Sequence, residues 1–363
     1  MTIELRAATL DDARTLLAWR NDPATRSASY GSDEVPWEEH VAWLQRKLSD
    51  PAVRVWIAGG VGTVRAERSQ PGVAEVHITV APGARGQGRA APLLDAATRA
   101  AAAALGVRRV FGRVKLGNEP SRRAFARAGF TGEGEIWTRD LVAAPVVAIV
   151  QARMGSTRLP GKVLTEVAGR PLLAHMLERV RRAGTIDDVW VATSTEPRDD
   201  AIAALHDRVF RGSEADVLAR FAGAADAAGA ATVVRLTADC PLITPDAVDL
   251  VVGALGASGA DLATNAPPHG RTWPDGTDAE AFPRAVLDRA HAAAGDPADR
   301  EHVTRWLHRH GAVEVVDHDP PLGDVRITVD TPEDLAIVRR VLEALLPGRP
   351  QFTLDDVLAV LSG

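Results

Sequence analysis

The feature that most constrains the fold is the expected strand Val146–Gln151, which is apolar throughout up to its last residue and is followed by alternating strand and helix signals through the rest of the chain. An unbroken apolar strand is typical of a strand buried on both faces of a sheet, and parallel strands need crossover helices between them. We therefore predict an α/β fold here, with a mostly parallel sheet flanked by helices. A chain of 363 residues also exceeds one ordinary domain of about 100–200 residues. The short uncharged segment Ala143–Pro145 predicts the boundary, with domains at 1–143 and 145–363.

The residues before this boundary predict a separate α+β or α/β domain. Three successive strands are expected at 53–58, 62–68 and 74–80, the last with alternating apolar residues. A long alanine-rich helix is expected from about Ala90 to Leu105, ending at Gly106.

Composition and charge narrow the class of function. Hydrophobic residues make up 46% of the chain and charged residues 25%, as in a globular protein. No apolar run is long enough to cross a bilayer, no export signal is evident, and the single Cys240 fits a reducing cytosol, so we expect a cytoplasmic protein without membrane contact. The first domain carries a net charge of +4 and the second −10, and neither is basic enough for nucleic acid. The expected partners are small molecules; the oligomeric state stays open, a homodimer included.

A glycine-containing loop joins the strand ending at Val80 to the helix beginning at Ala90. Its residues Arg85, Gly86, Gln87, Gly88 and Arg89 combine a permissive backbone with positive charge. Backbone N–H groups of such a loop and of the next helix's first turn form an anion site suited to a pyrophosphate. A plain surface turn is the alternative.

The first domain resembles the GNAT N-acetyltransferase family. The resemblance rests on Arg85, Gly88 and Ala90, which match its acetyl-CoA loop, and on the downstream segment that contains Asn118 and Ser121. It implies a GNAT α/β fold, acetyl-CoA bound by Val80, Arg85–Ala90, Asn118 and Ser121, and acetylation of an amino group. Its opening segments resemble the branch that acetylates nucleotide-linked amino sugars or protein termini.

Direct acetyl transfer needs a base for the attacking amine. Glu75 is the candidate, and His77 has the same strand parity; ordinary solvent-facing polar residues are the alternative for both. The family often has a tyrosine as general acid where this chain has Phe125, and the chain's only tyrosine is Tyr30.

A second loop follows the strand Val146–Gln151 and carries three cations, Arg153, Arg158 and Lys162. It is not a Walker A motif, because Gly155 and Gly161 enclose five residues and valine follows the lysine. Ligands of such sheets bind beyond the carboxyl ends of the strands, so we predict a triphosphate site. A solvated basic loop is the alternative.

Two aspartates are expected at the ends of apolar strands. Asp239 follows 233–236, and Asp330 follows the expected strand Val325–Val329. Two carboxylates beside a triphosphate suit Mg²⁺, which takes one or two protein oxygens and completes its shell with phosphates and water. A helix N-cap is the alternative for Asp330.

The second domain resembles the cytidylyltransferases that include spore-coat polysaccharide protein F and, more distantly, the CMP-sugar synthetases for Kdo and sialic acids. The motifs include 151–164, 192–194, 212–221, 235–242, 274–280, 300–303 and 328–334. The resemblance implies a Rossmann-like, GT-A-like nucleotidyltransferase fold and attack of a sugar hydroxyl or sugar phosphate on the α-phosphorus of CTP, releasing pyrophosphate.

The resemblance and the chemistry together assign residues to four roles. Catalysis falls to Glu75 in the first domain and to Arg158, Lys162 and Asp239 in the second, with Asp239 and Asp330 as metal ligands. Nucleotide binding is assigned to Gln151, Ala152, Arg153, Gly155, Ser156, Arg158, Lys162, Ser194, Asp216 and Arg220. The acceptor is assigned to Asp275, Asp278, Glu280, Arg300 and His302.

The leading hypothesis is a bifunctional enzyme that N-acetylates an amino sugar with acetyl-CoA and makes a CMP-sugar with CTP and Mg²⁺. Two alternatives stay open: the second domain is a GT-A glycosyltransferase, or one domain is a non-catalytic binding or scaffold module.

Overall fold

The computed structural model describes residues 3–362 and divides into two compact units, 1–141 and 142–363. Each unit contains one seven-stranded mixed sheet with helices packed on it, which confirms the α/β class. Within the described residues, no helix combines the length and apolarity needed to cross a membrane.

The first unit is built on the sheet β1-β2-β3-β4-β5-β7-β6. The strands are β1 (Arg6–Ala7), β2 (Val53–Ala58), β3 (Gly62–Gln70), β4 (Val73–Val80), β5 (Arg109–Arg113), β6 (Thr131–Glu133) and β7 (Ile136–Asp140). The helices are α1 (Ala13–Asn21), α2 (Pro23–Ala28), α3 (Trp37–Ser49), α4 (Ala90–Leu105) and α5 (Glu119–Arg127).

Strand alternation sets the two faces of this sheet. Val64, Ala66 and Val76 are buried in core clusters with leucines and alanines of α4. The alternate residues, such as Arg65 and His77, point to the opposite face, where they are paired across β3 and β4. The face under α4 is therefore apolar, whereas the opposite face carries polar side chains on β3 and β4 beside a second apolar cluster that includes Val55 and Ile57.

Among residues 3–362, this sheet has one parallel pairing, β4 with β5, and it is short. Its register runs from Val73 opposite Arg109 to Glu75 opposite Phe111 and stops there, although β4 continues to Val80. The two strands are no longer paired beyond Glu75, which leaves an opening between them in the sheet at that point.

The second unit is built on the sheet β12-β11-β8-β13-β15-β14-β16, with a separate two-stranded ribbon of β9 and β10. Its strands are β8 (Val146–Gln151), β9 (Glu166–Val167), β10 (Arg170–Pro171), β11 (Asp188–Ser194), β12 (Val209–Gly212), β13 (Thr232–Thr237), β14 (Leu262–Thr264), β15 (Glu280–Pro283) and β16 (Val313–Val315). Its helices are α6 (Leu172–Val180), α7 (Asp200–Ala203), α8 (Val217–Ala227), α9 (Pro245–Ser258), α10 (Arg284–Ala293), α11 (Pro297–Glu301), α12 (Arg305–His310), α13 (Pro332–Leu345) and α14 (Leu354–Ser362).

Strands β12, β11, β8 and β13 are parallel neighbours, as the apolar β8 predicts. Strand β15 then runs antiparallel to both β13 and β14, an insertion that the helix–strand alternation did not indicate. Because β8 is central and parallel to its neighbours, its carboxyl end opens beside the ends of β11 and β13.

The expected strand Val325–Val329 is wrong. Among the described residues this segment forms an isolated bridge, Asp275 to Arg326, and no ladder. Ile327 and Val329 are instead buried with Val338, Val341 and Leu342 of α13, so the alternating apolar pattern reflects packing against a helix.

Buried apolar residues fill the space between this sheet and α8, α10 and α12. Leu287 of α10 is fully buried there with Phe221 and Phe282. Truncating such a leucine removes its transfer free energy and leaves a cavity.

We expect Leu287→Ala to lower the free energy of unfolding of the second unit by about 2–5 kcal/mol. Leu116→Ala is the matched control, because Leu116 is 62% exposed and its truncation opens no cavity. Chemical denaturation followed by tryptophan fluorescence measures both. Equal stability of the two variants would contradict the packing described here.

Candidate functional sites

The loop after β4 has the backbone expected of an anion site. Gly86 and Gly88 have φ values of +74° and +71°, which residues with a Cβ rarely adopt. Helix α4 begins directly afterwards, and its N-cap residue, Arg89, forms no side-chain cap. The first-turn N–H groups of α4 are therefore left without a capping side chain behind a glycine loop, where an anion would be stabilised.

The side chains of this loop have partners of their own. Arg85 contacts Asp22 Oδ1 at 2.6 Å and donates to Thr25 Oγ1 at 2.6 Å, both at the start of α2. The Arg85 guanidinium holds the pKa of the Asp22 carboxyl below its usual value. Gln87 donates to the Gly83 carbonyl at 2.8 Å. These contacts fix the loop's shape, so its backbone N–H groups are the part of it best suited to hold a ligand.

Asn118 and Ser121 lie together at the start of α5. The Asn118 side chain is the N-cap and accepts from the Ser121 N–H at 3.2 Å. This segment follows β5, the strand that parts from β4. The predicted cofactor residues Val80, Gly86–Ala90, Asn118 and Ser121 therefore flank the opening between two diverging strands.

Glu75 lies where that opening begins. Its Oε1 is 3.8 Å from His77 Nε2 and 3.5 Å from Arg113 Nε, and its side chain is 18% exposed. Burial, followed by the charge of Arg65, lowers the pKa of His77 to about 4, so this imidazole is neutral at pH 7. Phe125 is buried against Phe130 in an aromatic cluster.

In the second unit, the loop after β8 is anchored by a buried carboxylate that sequence reasoning missed. Asp199 accepts from the Met154 N–H at 2.8 Å and from the Ser194 hydroxyl, and it is fully buried. Ser194 ends β11, so Asp199 ties the loop after β8 to the end of the neighbouring strand. Ser156 and Ala152 are also placed by the loop's own bonds, to the Met154 and Ala192 carbonyls.

Lys162 is the centre of the site. Its side chain is 9% exposed, and its Nζ donates to Asp239 Oδ2 at 3.2 Å, to Asp330 Oδ1 at 2.9 Å and to the Val329 carbonyl at 2.6 Å. Arg158 Nη2 reaches the same Asp330 oxygen at 2.9 Å. Four of the five residues named for phosphate and metal binding are thus brought to one place, and Arg153 is not in contact with them.

The backbone holds the two aspartates together. The Asp239 carbonyl accepts from the Val329 N–H at 2.8 Å and from the Thr328 hydroxyl at 3.1 Å. Asp330 is not the N-cap of α13; Thr331 is, in a capping box with Asp334. The Asp330 side chain is therefore available to the cluster.

Arg326 is a second residue that the sequence did not single out. It contacts Asp330 Oδ2 at 2.6 Å and also Asp275 and Asp334. Burial alone would raise the pKa of Asp330, but Lys162, Arg326 and Arg158 outweigh it and hold the pKa below its usual value. Asp330 is therefore neutralised by three cations, whereas Asp239 meets one of them and is 31% exposed.

Two carboxylates that share one ammonium fit a magnesium site. Asp239 and Asp330 supply oxygen ligands of the kind that Mg²⁺ prefers. Within residues 3–362, no group of three or more His, Cys, Asp and Glu side chains forms a ready-made metal site. A divalent ion here would therefore depend on substrate phosphates and water for the rest of its shell, as is usual for Mg²⁺.

Two polar groups near this loop are buried without a partner among the described residues. Arg220 is 1% exposed; its Nη1 donates to the Ser213 carbonyl at 2.7 Å, but Nε and Nη2 have no acceptor. The Oε1 atom of Gln151, at the end of β8, also lacks a donor. Unpaired buried groups are costly, so both are suited to a polar ligand. Arg153 is exposed, and Gly155 lies near the Arg198–Glu214 pair.

The residues assigned to the acceptor do not all come together. A pocket of about 170 Å³ beside the end of β13 is lined by Asp278, Glu280, Arg235 and Arg271. Asp275 is not one of these lining residues; it contacts Arg326 and lies 3.9 Å from Arg271 of the lining. Arg300 instead contacts Asp216 Oδ2 at 2.5 Å, at the N-cap of α8, and His302 is exposed beyond the end of α11.

Both carboxylates of the pocket are already paired. Glu280 accepts from Arg235 at 2.5 Å, Thr304 at 2.8 Å and His308 at 2.9 Å. Burial would raise the pKa of Glu280, but the charge of Arg235 outweighs it and the pKa lies below its usual value. Asp278 is held by both terminal nitrogens of Arg271. The arginine in the apolar strand β13 was the signal for this pocket that the sequence analysis overlooked.

Comparison with known proteins adds the family. A cytidylyltransferase family model matches residues 147–314, and an acetyltransferase (GNAT) domain model matches residues 2–131. The spore coat polysaccharide biosynthesis protein SpsF of Bacillus subtilis is 31% identical over 233 residues, which cover 60% of this chain and 94% of that protein. A 3-deoxy-manno-octulosonate cytidylyltransferase of Anaeromyxobacter dehalogenans is 38% identical over 172 residues, 44% of this chain and 71% of that protein.

A solved cytidylyltransferase structure from Leptospira borgpetersenii superposes with a TM-score of 0.57 at 30% identity, covering 61% of this chain and 94% of that one. The two resemblances stated from sequence are thereby confirmed. The chain belongs to the cytidylyltransferase family that includes SpsF, it carries a GNAT acetyltransferase domain ahead of that region, and it is a transferase enzyme.

Proposed function

We propose that the second unit transfers a cytidylyl group from CTP to a sugar and releases pyrophosphate, with Mg²⁺ as cofactor. The observation that carries the proposal is the convergence of Arg158 and Lys162 on Asp239 and Asp330. The acceptor is a sugar acid of the nonulosonate kind or a sugar phosphate, in keeping with the similarity to the 3-deoxy-manno-octulosonate cytidylyltransferases.

In the reaction, an acceptor oxygen forms a bond to the α-phosphorus while the bond to the bridging oxygen of the β-phosphate breaks. Such chemistry depends on positioning and on charge neutralisation. Arg153, Arg158 and Lys162 would hold the triphosphate, and Asp239 and Asp330 would hold Mg²⁺, which supplies charge neutralisation on the phosphates. Arg220 and Gln151 would give their unpaired atoms to the nucleotide.

A glycosyltransferase would use a nucleotide sugar and release no pyrophosphate. Three cations on one loop favour the triphosphate of CTP over the diphosphate or monophosphate of a sugar donor. Pyrophosphate release therefore separates the two functions.

For the first unit, we propose acetyl-CoA-dependent N-acetylation of an amino sugar. The glycine loop before α4 and the parting of β4 from β5 support the cofactor site. The amine nitrogen forms a bond to the thioester carbonyl carbon, and the carbon–sulfur bond breaks to release CoA thiolate. Glu75, directly or through water, takes the proton that the amine loses, and the thiolate is protonated from solvent, because Phe125 offers no proton.

We expect Asp239→Asn to lower kcat for pyrophosphate release about 100-fold or more, since it removes the charge of one of the two carboxylates proposed to hold Mg²⁺ at the reacting phosphates. Radiolabelled CTP with Mg²⁺ and acidic or phosphorylated sugars measures the rate, and EDTA should abolish it in the parent enzyme. Asp246→Asn, at an exposed position in the first turn of α9, is the control. Sugar transfer without pyrophosphate would instead identify a glycosyltransferase.

Asp199, which anchors the loop after β8, is expected to affect KM for CTP more than kcat. An asparagine at position 199 presents an amide NH₂ to one of the two donors that the carboxylate now accepts from, the Met154 N–H and the Ser194 hydroxyl. We expect Asp199→Asn to raise KM for CTP about tenfold through a loosened loop, with a smaller change in kcat. Asp200→Asn, whose side chain is 65% exposed, is the control. An unchanged KM would show that Asp199 does not position the loop for CTP.

The proposed base is tested by Glu75→Gln. We expect acetyl transfer, followed as CoA release, to fall about 100-fold, because general base catalysis contributes factors of that order. Binding of acetyl-CoA should be unaffected, and Glu133→Gln at an exposed position of β6 should keep the parent rate. A parent-like rate with the glutamine would exclude Glu75 as the base.

A further inference from the structure

The first unit contains a cavity of about 550 Å³ that is separate from the glycine loop. Its floor is the face of β3 and β4 opposite α4, with Arg65 beside His77 and Thr63 beside Thr79. Helices α1 and α3 form its walls. His77, which was weighed beside Glu75 as a base, is among its lining residues, but Glu75 and the residues assigned to acetyl-CoA are not, so the cavity needs its own explanation.

Two buried polar atoms on its lining lack partners among the described residues. His40 of α3 is 4% exposed, and its Nε2 has no hydrogen bond. Arg20 of α1 donates through Nη2 to the Gly31 carbonyl at 2.9 Å, but its buried Nη1 has no acceptor. Buried polar groups in folded proteins are nearly always satisfied, by protein, water or ligand. Two such atoms around one cavity point to a polar ligand.

The charge of the lining residues indicates the sign of the charge that such a ligand carries. Arg20, Arg46 and Arg65 contribute three positive charges against the single carboxylate of Glu39. Beneath them, Glu67 is shared between Arg65 and Lys47, whose Nζ lies 2.7 Å from it, and so adds no free negative charge. Burial lowers the pKa values of both His40 and His77, which leaves these imidazoles neutral. The cavity is therefore cationic overall.

The cavity also adjoins the reacting centre. His77, on its floor, lies 3.8 Å from Glu75, and β4 continues from there to Val80 and the glycine loop. Trp43 supplies a flat apolar surface, with the Arg65 guanidinium 5.4 Å from its ring centroid. A ligand held here would present a group to the strand on which the proposed base lies.

We propose that this cavity binds the amine acceptor and selects acceptors that carry a carboxylate or phosphate on the same molecule as the amine. The inference rests on the proposed acetyltransferase function and adds the class of acceptor. Arg46 and Arg65 would contact the anionic group, and His40 Nε2 and Arg20 Nη1 would bond polar groups of the sugar.

The test compares amino sugars with and without an anionic group. CoA release is measured on the full chain with acetyl-CoA and with glucosamine, glucosamine 6-phosphate or glucosaminic acid. We expect kcat/KM to be about tenfold or more higher for an anionic acceptor than for glucosamine, since charge-assisted bonds are about twice as strong as neutral ones. The phosphate and the carboxylate arms show which anion is preferred.

Arg46→Gln should remove about tenfold of this preference by lowering kcat/KM for the anionic acceptors more than for glucosamine, and Arg46→Lys should retain most of the preference. Arg99→Gln, on the far side of the sheet in α4, is the control. Equal rates for neutral and charged acceptors, or a preference for glucosamine, would overturn the inference.

Calorimetry separates failure of this inference from failure of the proposed function. If no acceptor releases CoA, acetyl transfer itself is contradicted for these sugars, and titration with glucosamine 6-phosphate still tests the cavity. Binding that is weakened by Arg46→Gln and not by Arg99→Gln supports the anion site. Binding that both variants leave unchanged, or no binding at all, overturns it.

Discussion

The second unit depends on one buried ammonium group held between two carboxylates. All three donors of Lys162 Nζ are used, on Asp239, Asp330 and the Val329 carbonyl. An unpaired charge at this depth would cost several kcal/mol, so the lysine is stable there only with its partners. The three bonds join the loop after β8 to two segments that lie far along the chain. The contacts that stabilise the buried charge of Lys162 therefore also bring the cationic loop and the two aspartates together in one site.

The parts of the fold that were predictable are those decided by local sequence. Strand Val146–Gln151 and helix Ala90–Leu105 have the bounds expected, because an apolar run marks the first and Gly106 ends the second in the left-handed region. The antiparallel strand Glu280–Pro283 was not predicted, since its pairing with β13 is a tertiary choice. The segment 325–329 has the alternation of a strand, but its apolar side chains pack on α13 rather than in a sheet.

The candidate site divides in the same way. Residue types that carry charge at strand ends, such as Lys162 and Asp239, were visible from their positions. The partners of the charged side chains could not be read from the sequence. Arg300 contacts Asp216 and does not lie with the other residues assigned to the acceptor, and Arg326 contacts three aspartates. Asp199 was hidden because its role is to accept two bonds from other segments, which no local spacing reveals.

Arginine-lined cavities occur in both units, at Arg235 and Arg271 in one and at Arg20, Arg46 and Arg65 in the other. Arg235 and Arg271 are paired with Glu280 and Asp278, so the charge of the lining favours an anionic acceptor in the first unit and not in the second. The function of the second unit requires that the Lys162 cluster be a triphosphate and metal site. Crystals grown with Mn²⁺ and a non-hydrolysable CTP analogue test this assignment by anomalous scattering. We expect a metal peak at coordination distance from an Asp239 oxygen, with phosphates on Arg158 and Lys162; a nucleotide bound elsewhere, with the Lys162–Asp239–Asp330 contacts unaltered, would contradict the assignment.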